Sequence, residues 1–192
     1  MRRIVIASNR VPTLDGDAKA GGLAVALSAV LQERGGLWLG WSGRTTASPA
    51  RRAKVRDIGS FAVGTLDLTD LEQSRYYDGM ANRALWPILH GRLDLAHFDY
   101  ADYTAYRAVN RRFADALLAE IGPATTTWIH DYHLIPVGRL LRNRAVGGPI
   151  GFFLHVPFPP AETFAALPWA LELVDDLAAY NLIGFQTRAC VQ

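Results

Sequence analysis

Short, continuously apolar runs alternate along the chain with longer segments whose apolar residues recur at helical spacing. The short runs predict strands at residues 3–8, 37–41, 58–66, 126–130, 150–155 and 182–185. Continuous apolar runs of this length are typical of strands buried on both faces of a parallel sheet. The run 58–66 alternates only weakly, which favours a position at the edge of the sheet.

The longer segments predict helices between these strands, at 23–34, from Thr69 onward, at 102–121, up to Arg144 and at 169–180. Gly35 and Gly36 should end the first helix, because glycine readily adopts the conformation that follows a last helical turn. Thr69 with Glu72 three residues later forms a capping box. This alternation predicts an α/β fold with a doubly wound, mostly parallel sheet.

The organisation is that of one domain spanning residues 1–192, without internal repeats or a break in composition. The basic segment 44–56 is expected to be a solvated surface loop. A covering helix would normally follow the last strand of a doubly wound sheet, and only a short segment follows residue 185. We therefore expect the sequence to stop inside a longer protein.

Composition adds limits rather than a function. Half of the residues are hydrophobic and 20% are charged, as in ordinary globular proteins, and the net charge is only +2. Neither nucleic acid nor a membrane surface is favoured by such a balance. Nearly all cations are arginine, which suits phosphate binding, although a genome-wide codon bias gives the same skew.

The expected location is the cytoplasm. Cys190 is the only cysteine, so an internal disulfide is excluded and a reducing compartment is favoured. The first residues lead directly into a strand without the apolar core of a signal peptide. No later apolar run reaches the length needed to span a bilayer.

Polar side chains stand where two neighbouring strands end. His130, Asp131 and His133 come at the end of one strand, and His155 at the end of the next. Open α/β sheets bind ligands at the carboxyl ends of their strands. These residues therefore predict a small-molecule site, although a single histidine such as His155 is equally consistent with a core position.

A metal site is not expected here. Histidine and aspartate are good ligands, but neighbouring residues on a strand point to opposite faces. No glutamate or cysteine completes a ligand set near His130, Asp131 and His133. Asp131 is better suited to accept hydrogen bonds from sugar hydroxyls. We expect no metal and no other cofactor.

A second candidate binding element combines Arg10, at the end of the first strand, with Gly21 and Gly22 at the start of a helix. The free N–H groups and the dipole at such a helix start attract anions. The pattern is neither a dinucleotide fingerprint nor a Walker motif. A phosphate site is favoured, with plain turn chemistry as the alternative for the glycine pair.

Three aromatic residues, Trp41, Tyr77 and Trp86, are expected near loops or turns. Trp41 precedes Ser42 and Gly43, and Trp86 precedes a proline. Aromatic rings offer flat faces to the C–H groups of sugars, so these side chains are candidates for a ligand platform. Each alone is also compatible with an ordinary core position.

Together these segments resemble the trehalose-6-phosphate synthase family, which are retaining glycosyltransferases of the GT-B fold. The matching stretches are 8–10, 20–25, 35–43, 76–77, 85–87, 106–110, 128–134 (Trp-Ile-His-Asp-Tyr-His-Leu), 151–159 (Gly-Phe-Phe-Leu-His-Val-Pro-Phe-Pro) and 182–187. They follow the order of the family and span nearly the whole chain. The fold implied is the Rossmann-like amino-terminal lobe of a GT-B glycosyltransferase.

The resemblance implies glucosyl transfer from UDP-glucose to glucose 6-phosphate without a metal. It implies a donor site at Gly22 and His155. The residues implied on the acceptor side are Arg10, Trp41, Tyr77, Trp86 and Asp131, with Arg10 and Tyr77 nearest the phosphate. His155 and Asp131 are the implied catalytic pair.

Length is the departure from this family, whose members have two lobes. The resemblance covers only the amino-terminal, acceptor-binding lobe, so the isolated chain is expected to be inactive, and the full-length form is a candidate homo-oligomer. Two alternatives stay open: an enzyme like the glucosylglycerol-phosphate synthases, and a non-catalytic sugar-phosphate-binding module. The intact Arg10, Tyr77 and Trp86 favour a sugar-phosphate acceptor over glycerol 3-phosphate.

Overall fold

A computed structural model describes residues 3–11 and 22–187 of the chain. Within these ranges one sheet has the strand order β3-β4-β2-β1-β5-β6-β7. Its strands are β1 (Arg3–Arg10), β2 (Leu37–Thr45), β3 (Lys54–Asp57), β4 (Ala62–Leu68), β5 (Thr125–His130), β6 (Ile150–Leu154) and β7 (Leu182–Phe185). All neighbouring strands run parallel except β3 and β4. The predicted mostly parallel sheet is confirmed.

The edge of the sheet next to β4 differs from the prediction. The run 58–66 was expected to supply an edge strand and 44–56 a loop, but β4 lies inside the sheet and β3 forms its edge. Every residue of β3 is exposed, so no apolar pattern marks this strand in the sequence. Its antiparallel backbone pairing with β4 covers polar groups that β4 would otherwise expose.

Helices cover both faces of the sheet. The helical elements are α1 (Gly22–Arg34), α2 (Asp70–Glu72), a π-helix (Gln73–Leu85), α3 (Trp86–Leu89), α4 (Tyr100–Leu118), α5 (Val137–Arg142), α6 (Ala161–Phe164) and α7 (Ala170–Leu177), with 3-10 turns at Leu93–Leu95 and Tyr132–Leu134. In the described ranges, none of these helices is long and apolar enough to cross a membrane.

Two glycines end α1 as predicted. Gly35 and Gly36 have φ angles of 69° and 125°, a region that glycine enters without strain. A Cβ atom at Gly36 would lie 2.2 Å from the carbonyl oxygen of Ile4. Both the conformation and the close approach to β1 therefore require glycine at this position.

Alternation along β1 divides the core between the two faces of the sheet. Val5 and Ala7 face a large apolar cluster formed with the π-helix, α4 and α5, whereas Ile6 faces a smaller cluster formed with Leu27 and Leu31 of α1. Because successive side chains of a strand point to opposite faces, one apolar strand supplies both clusters. This is the expected doubly wound arrangement.

The capping box predicted at Thr69 is present and extends into a tertiary contact. The Thr69 hydroxyl accepts from the backbone N–H of Glu72 at 3.0 Å, and the Glu72 carboxylate accepts from the backbone N–H of Thr69 at 2.8 Å. Arg112 of α4 donates to the same carboxylate at 2.7 Å. The start of the helical segment 70–89 is thereby fixed against α4.

The π-helix packs against α4 at Gly79. Asp102 is buried beneath it and receives Arg75 at 3.4 Å and Arg83 at 3.3 Å. A Cβ atom at Gly79 would lie only 2.3 Å from a carboxylate oxygen of Asp102. The glycine is required because a buried, doubly paired carboxylate occupies the space of a side chain.

We expect Gly79→Ala to lower the free energy of unfolding by about 1–3 kcal/mol, because overpacking outweighs alanine's better helix propensity. Urea unfolding measures the change. Gly147→Ala is the matched control: its Cβ would meet nothing within 4 Å, and the change should stay within about 0.5 kcal/mol. In an Asp102→Ala background the Gly79 substitution should no longer destabilise; an unchanged loss there would contradict the steric explanation.

Candidate functional site

The end of β1 is held in a fixed shape by a serine. The Ser8 hydroxyl donates to the carbonyl oxygen of Arg10 at 2.8 Å and accepts from the indole N–H of Trp38 at 2.8 Å. Asn9, between them, accepts from the hydroxyl of Tyr76 at 2.8 Å. These bonds tie the carboxyl end of β1 to β2 and to the π-helix.

The guanidinium of Arg10 lies over the ring of Trp41, with its central carbon 5.2 Å from the ring centroid. Gly43 leaves the space that this group occupies: a Cβ there would lie 2.0 Å from an Arg10 nitrogen. The exposed arginine is thus positioned by a cation–π contact and by a glycine. Its charge stays at the carboxyl edge of the sheet.

Trp41 itself is buried, within the extended β2 rather than at a loop. Its indole N–H donates to the carbonyl oxygen of Arg44 at 2.8 Å, and 2% of the residue is exposed. The prediction of a loop position is therefore wrong, since β2 continues to Thr45. The burial agrees with the core alternative, while the ring still supports Arg10.

Tyr77 and Trp86 also lie in helical structure rather than near loops. Tyr77 is on the π-helix, and Trp86 begins α3 without a break in the helical segment. Pro87 lies where the π-helix passes into α3, and the helical segment continues through it to Leu89. The prediction that these two residues lie near loops is wrong, because the helical segment continues past them to Leu89.

The aromatic rings form a row along the site. The Tyr77 ring lies 5.8 Å from that of Trp41 and 5.8 Å from that of His133, between the centroids. His133 is in turn stacked on Tyr132, at 4.1 Å. The row begins at Arg10 and ends in the turn that directly follows Asp131.

Trp86 is the most exposed of the three aromatic candidates, with 41% of its surface exposed. Its ring stacks on His90 at 4.1 Å, and the His90 Nδ1 lies 2.7 Å from the carbonyl oxygen of Trp86. His90 was not predicted as a site residue, although its position four residues after Trp86 places both on one helix face. His90 is also close enough to Asp131 to lower the pKa of that carboxyl.

Asp131 adopts a backbone conformation that is unusual for any residue other than glycine. Its φ and ψ angles are 74° and 163°. One carboxylate oxygen accepts from the backbone N–H of Tyr132 at 3.1 Å and from that of His155 at 3.2 Å. Burial raises the pKa of Asp131, and these two hydrogen bonds oppose the rise. The side chain thus joins the ends of β5 and β6.

His130 and His155 are in direct contact. The Nδ1 of His130 lies 2.9 Å from the Nε2 of His155. Burial lowers the pKa of His130 to about 3, with a smaller contribution from His155. The pKa of His155 is lowered by burial, against the opposing charge of Asp131. Both rings are therefore neutral near pH 7.

The side chains of His130 and His133, at the end of β5, point to different neighbours. His130 contacts His155, whereas His133 lies between Tyr132 and Tyr77, where burial lowers its pKa to about 3. Within residues 3–11 and 22–187, no three His, Cys, Asp or Glu side chains group as metal ligands.

Buried polar side chains from outside the site hold the turn after Asp131. The hydroxyl of Tyr106 donates to the carbonyl oxygen of Tyr132 at 2.7 Å, Asn110 donates to that of His133 at 3.1 Å, and Tyr180 to that of Ile135 at 2.9 Å. Tyr106 and Asn110 lie in the predicted helix 102–121 and in the matching stretch 106–110, but neither was expected to support the site. Asn110 on the buried face of α4 was the available signal.

The structure brings most of the predicted residues to one edge of the sheet. Arg10, Trp41 and Tyr77 are linked by ring contacts, and His133 connects them to the turn beside Asp131 and His155. Trp86 joins them through His90. Gly22 begins α1, and Gly21 lies outside the described residues, so the phosphate site at this helix start stays a prediction.

A cavity of about 330 Å³ lies at the opposite edge of the sheet. Its lining comes from residues 118–123 and 145–148, which precede β5 and β6. None of the predicted site residues lines it.

The chain is similar to trehalose-phosphate synthases from several bacteria. The trehalose-6-phosphate synthase of Sinorhizobium fredii is 46% identical over 97% of this chain and 41% of its own length. The crystal structure of an alpha,alpha-trehalose-phosphate synthase (UDP-forming) from Burkholderia vietnamiensis matches with a TM-score of 0.94 and 42% identity, over 99% of this chain and 41% of that one. The Burkholderia xenovorans enzyme in complex with glucose-6-phosphate matches with a TM-score of 0.89 and 40% identity, over 98% of this chain and 41% of that one.

The chain spans about two fifths of the length of these relatives. The match to solved structures at this identity confirms the GT-B type of Rossmann-like fold that the sequence predicted. The family model described as Glycosyltransferase family 20 matches residues 4–192. This chain therefore belongs to glycosyltransferase family 20.

Proposed function

We propose that this chain forms the acceptor-binding lobe of a retaining glycosyltransferase that moves glucose from UDP-glucose to glucose 6-phosphate. The product is trehalose 6-phosphate. The observation that carries this proposal is the Arg10 guanidinium held over Trp41, in a row of rings that leads to Asp131. A fixed cation at one end of this row and a carboxylate at the other fit an acceptor with a phosphate at one end and hydroxyls at the other.

On the acceptor side, Arg10 and Tyr77 bind the phosphate of glucose 6-phosphate. Arginine suits this role because its planar donor groups match phosphate oxygens. Asp131 accepts hydrogen bonds from sugar hydroxyls, and the exposed ring of Trp86 packs against the sugar. The glucose-6-phosphate complex of the Burkholderia xenovorans relative supports this assignment of the acceptor class.

On the donor side, Gly22 and His155 contact UDP-glucose. The start of α1 presents backbone N–H groups to the diphosphate, as helix starts do for anions. His155 holds the donor glucose near its reacting carbon. The UDP-forming activity in the name of the Burkholderia vietnamiensis relative supports a uridine diphosphate leaving group.

The reaction forms a bond between the acceptor hydroxyl oxygen and the anomeric carbon, and it breaks the bond from that carbon to the diphosphate. Attack from the face that the diphosphate leaves retains the configuration, and the acceptor proton passes to the departing phosphate oxygen. Asp131 and His155 then bind and orient the two sugars, which contributes through positioning. We infer that the protein acts in the cytoplasm on small molecules and without nucleic acid, and that the full-length form is a candidate homo-oligomer.

The first test concerns Arg10. In the full-length protein, Arg10→Ala should lose about 1.5–3 kcal/mol of transition-state binding with glucose 6-phosphate, the scale of a charged hydrogen bond. The loss should largely vanish with unphosphorylated glucose. Steady-state kinetics with both acceptors measures it, and Arg111→Ala on the exposed face of α4 is the control. Equal losses for both acceptors would make Arg10 a structural residue.

The second test concerns metal ions. Because His130 and His133 point to different neighbours, we expect exhaustive chelation to leave glucosyl transfer by the full-length protein unchanged. Activity is measured after dialysis against a chelator and again after adding single divalent ions. Activity that disappears and returns with one ion would reject this assignment.

The third test uses residues 1–192 alone. We expect a cooperative thermal transition but no glucosyl transfer, because the donor's charge must be neutralised from both sides of a cleft. One helix start contributes about 1 kcal/mol, whereas enzymes lower barriers by about 8 kcal/mol or more. Trehalose 6-phosphate formed from UDP-glucose and glucose 6-phosphate is measured, with the full-length protein as control. Turnover near that of the control would show that this chain completes a site by itself.

A further inference from the structure

Only one proton can lie between the two ring nitrogens at which His130 and His155 are in contact. The two facing nitrogens, Nδ1 of His130 and Nε2 of His155, are 2.9 Å apart. A neutral imidazole carries its proton on one nitrogen and accepts at the other. One ring must therefore donate and the other accept, and the choice fixes where each ring carries its proton.

The other nitrogen of His130 decides between the two arrangements. Its Nε2 is buried and has no hydrogen-bond partner among the described residues. If His155 donated, the proton of His130 would sit on this Nε2 as a buried N–H group without an acceptor. Such orphaned donors are rarer in proteins than under-satisfied acceptors. If His130 donates from Nδ1, its Nε2 carries no proton. The buried Nε2 is then an acceptor without a partner rather than a donor without one.

We propose that His130 is a positioning residue that donates from Nδ1 to Nε2 of His155 and fixes His155 in the form that carries its proton on Nδ1. His155 then presents Nδ1 as a donor and has no lone pair to offer there. Free imidazole side chains favour the opposite form, with the proton on Nε2. The contact with His130 thus selects the less common form of a site residue.

The surroundings of the pair agree with this role. His130 is 1% exposed, and its ring lies 4.5 Å from that of Trp128, which fixes its orientation. The half-buried His155 is held separately at its backbone N–H by Asp131, at 3.2 Å. Asp131 therefore fixes the main chain of His155, and His130 fixes its ring. Burial keeps the pKa of His130 at about 3, so the ring stays neutral.

A donor at Nδ1 of His155 has a defined use. Sugar hydroxyl oxygens accept hydrogen bonds, and an N–H group of fixed direction binds them without reorienting. This step rests on the proposed function, because it takes the donor glucose as the group that His155 contacts. The assignment of the proton does not rest on it.

Nitrogen-15 NMR tests the assignment in the 192-residue chain, which contains five histidines. Protonated and unprotonated ring nitrogens have well-separated resonances. We expect His155, identified by its loss in His155→Gln, to show a protonated Nδ1 and an unprotonated Nε2. In His130→Phe the proton of His155 should move largely to Nε2. In His130→Asn, whose side-chain amide can donate from the Nδ1 position, the original form should persist.

His133 is the internal control, since its resonances should be the same in the unsubstituted chain, in His130→Phe and in His130→Asn. A protonated Nε2 of His155 in the unsubstituted chain would overturn the proposal, whether or not the variants fold. So would an unchanged His155 in His130→Phe.

A second measurement separates this proposal from the proposed function. In the full-length protein, kcat/KM for UDP-glucose should fall about tenfold in His130→Phe and recover in His130→Asn. Undiminished transfer by His130→Phe would show that the ring contact has no positioning role. Absence of transfer by the unsubstituted full-length protein would reject the proposed function, while the NMR result still decides the location of the proton.

Discussion

The hydrogen-bonded register of three parallel strands is the constraint on which the site depends. Ala7 of β1 pairs with Ile129 of β5, and His130 of β5 pairs with Phe153 of β6. Because the strands run parallel in this register, their carboxyl ends stop at the same edge of the sheet. Arg10, Asp131 and His155 are brought together there, although more than a hundred residues of sequence separate the first from the others.

Buried polar side chains of the π-helix and α4 support the residues at the carboxyl ends of these strands. Tyr106 and Asn110 of α4 reach carbonyl oxygens in the turn after β5, and Tyr76 reaches Asn9 at the end of β1. The bonds of Tyr106 and Asn110 are buried against the larger apolar core, where water does not compete with them, and that of Tyr76 is partly buried. The same helices that bury the sheet therefore also fix the geometry of its open edge.

Much of this arrangement could be predicted from the sequence, and the failures have physical causes. Apolar runs identified β1, β5 and β6, and the polar residues that follow them identified the edge. A helix was predicted from Thr69 onward, but its π-helical form was not. The wider turn of a π-helix departs from the 3.6-residue spacing of apolar positions that predicts an α-helix. The contact of His130 with His155 depends on strand register, which places His155 diagonally across from His130, and periodicity does not give register.

Asp131 combines a strained backbone with a carboxylate that the proposed function uses. Its backbone angles fall in a region that is essentially open to glycine alone, at a cost of about 1–3 kcal/mol for other residues. Glycine would remove this cost, but it would also remove the carboxylate that joins the ends of β5 and β6. The strain of this backbone and the two hydrogen bonds of the carboxylate therefore oppose each other with free energies of similar size. Under the proposed function, a glycine at this position would relieve the strain only by removing the group that faces the acceptor.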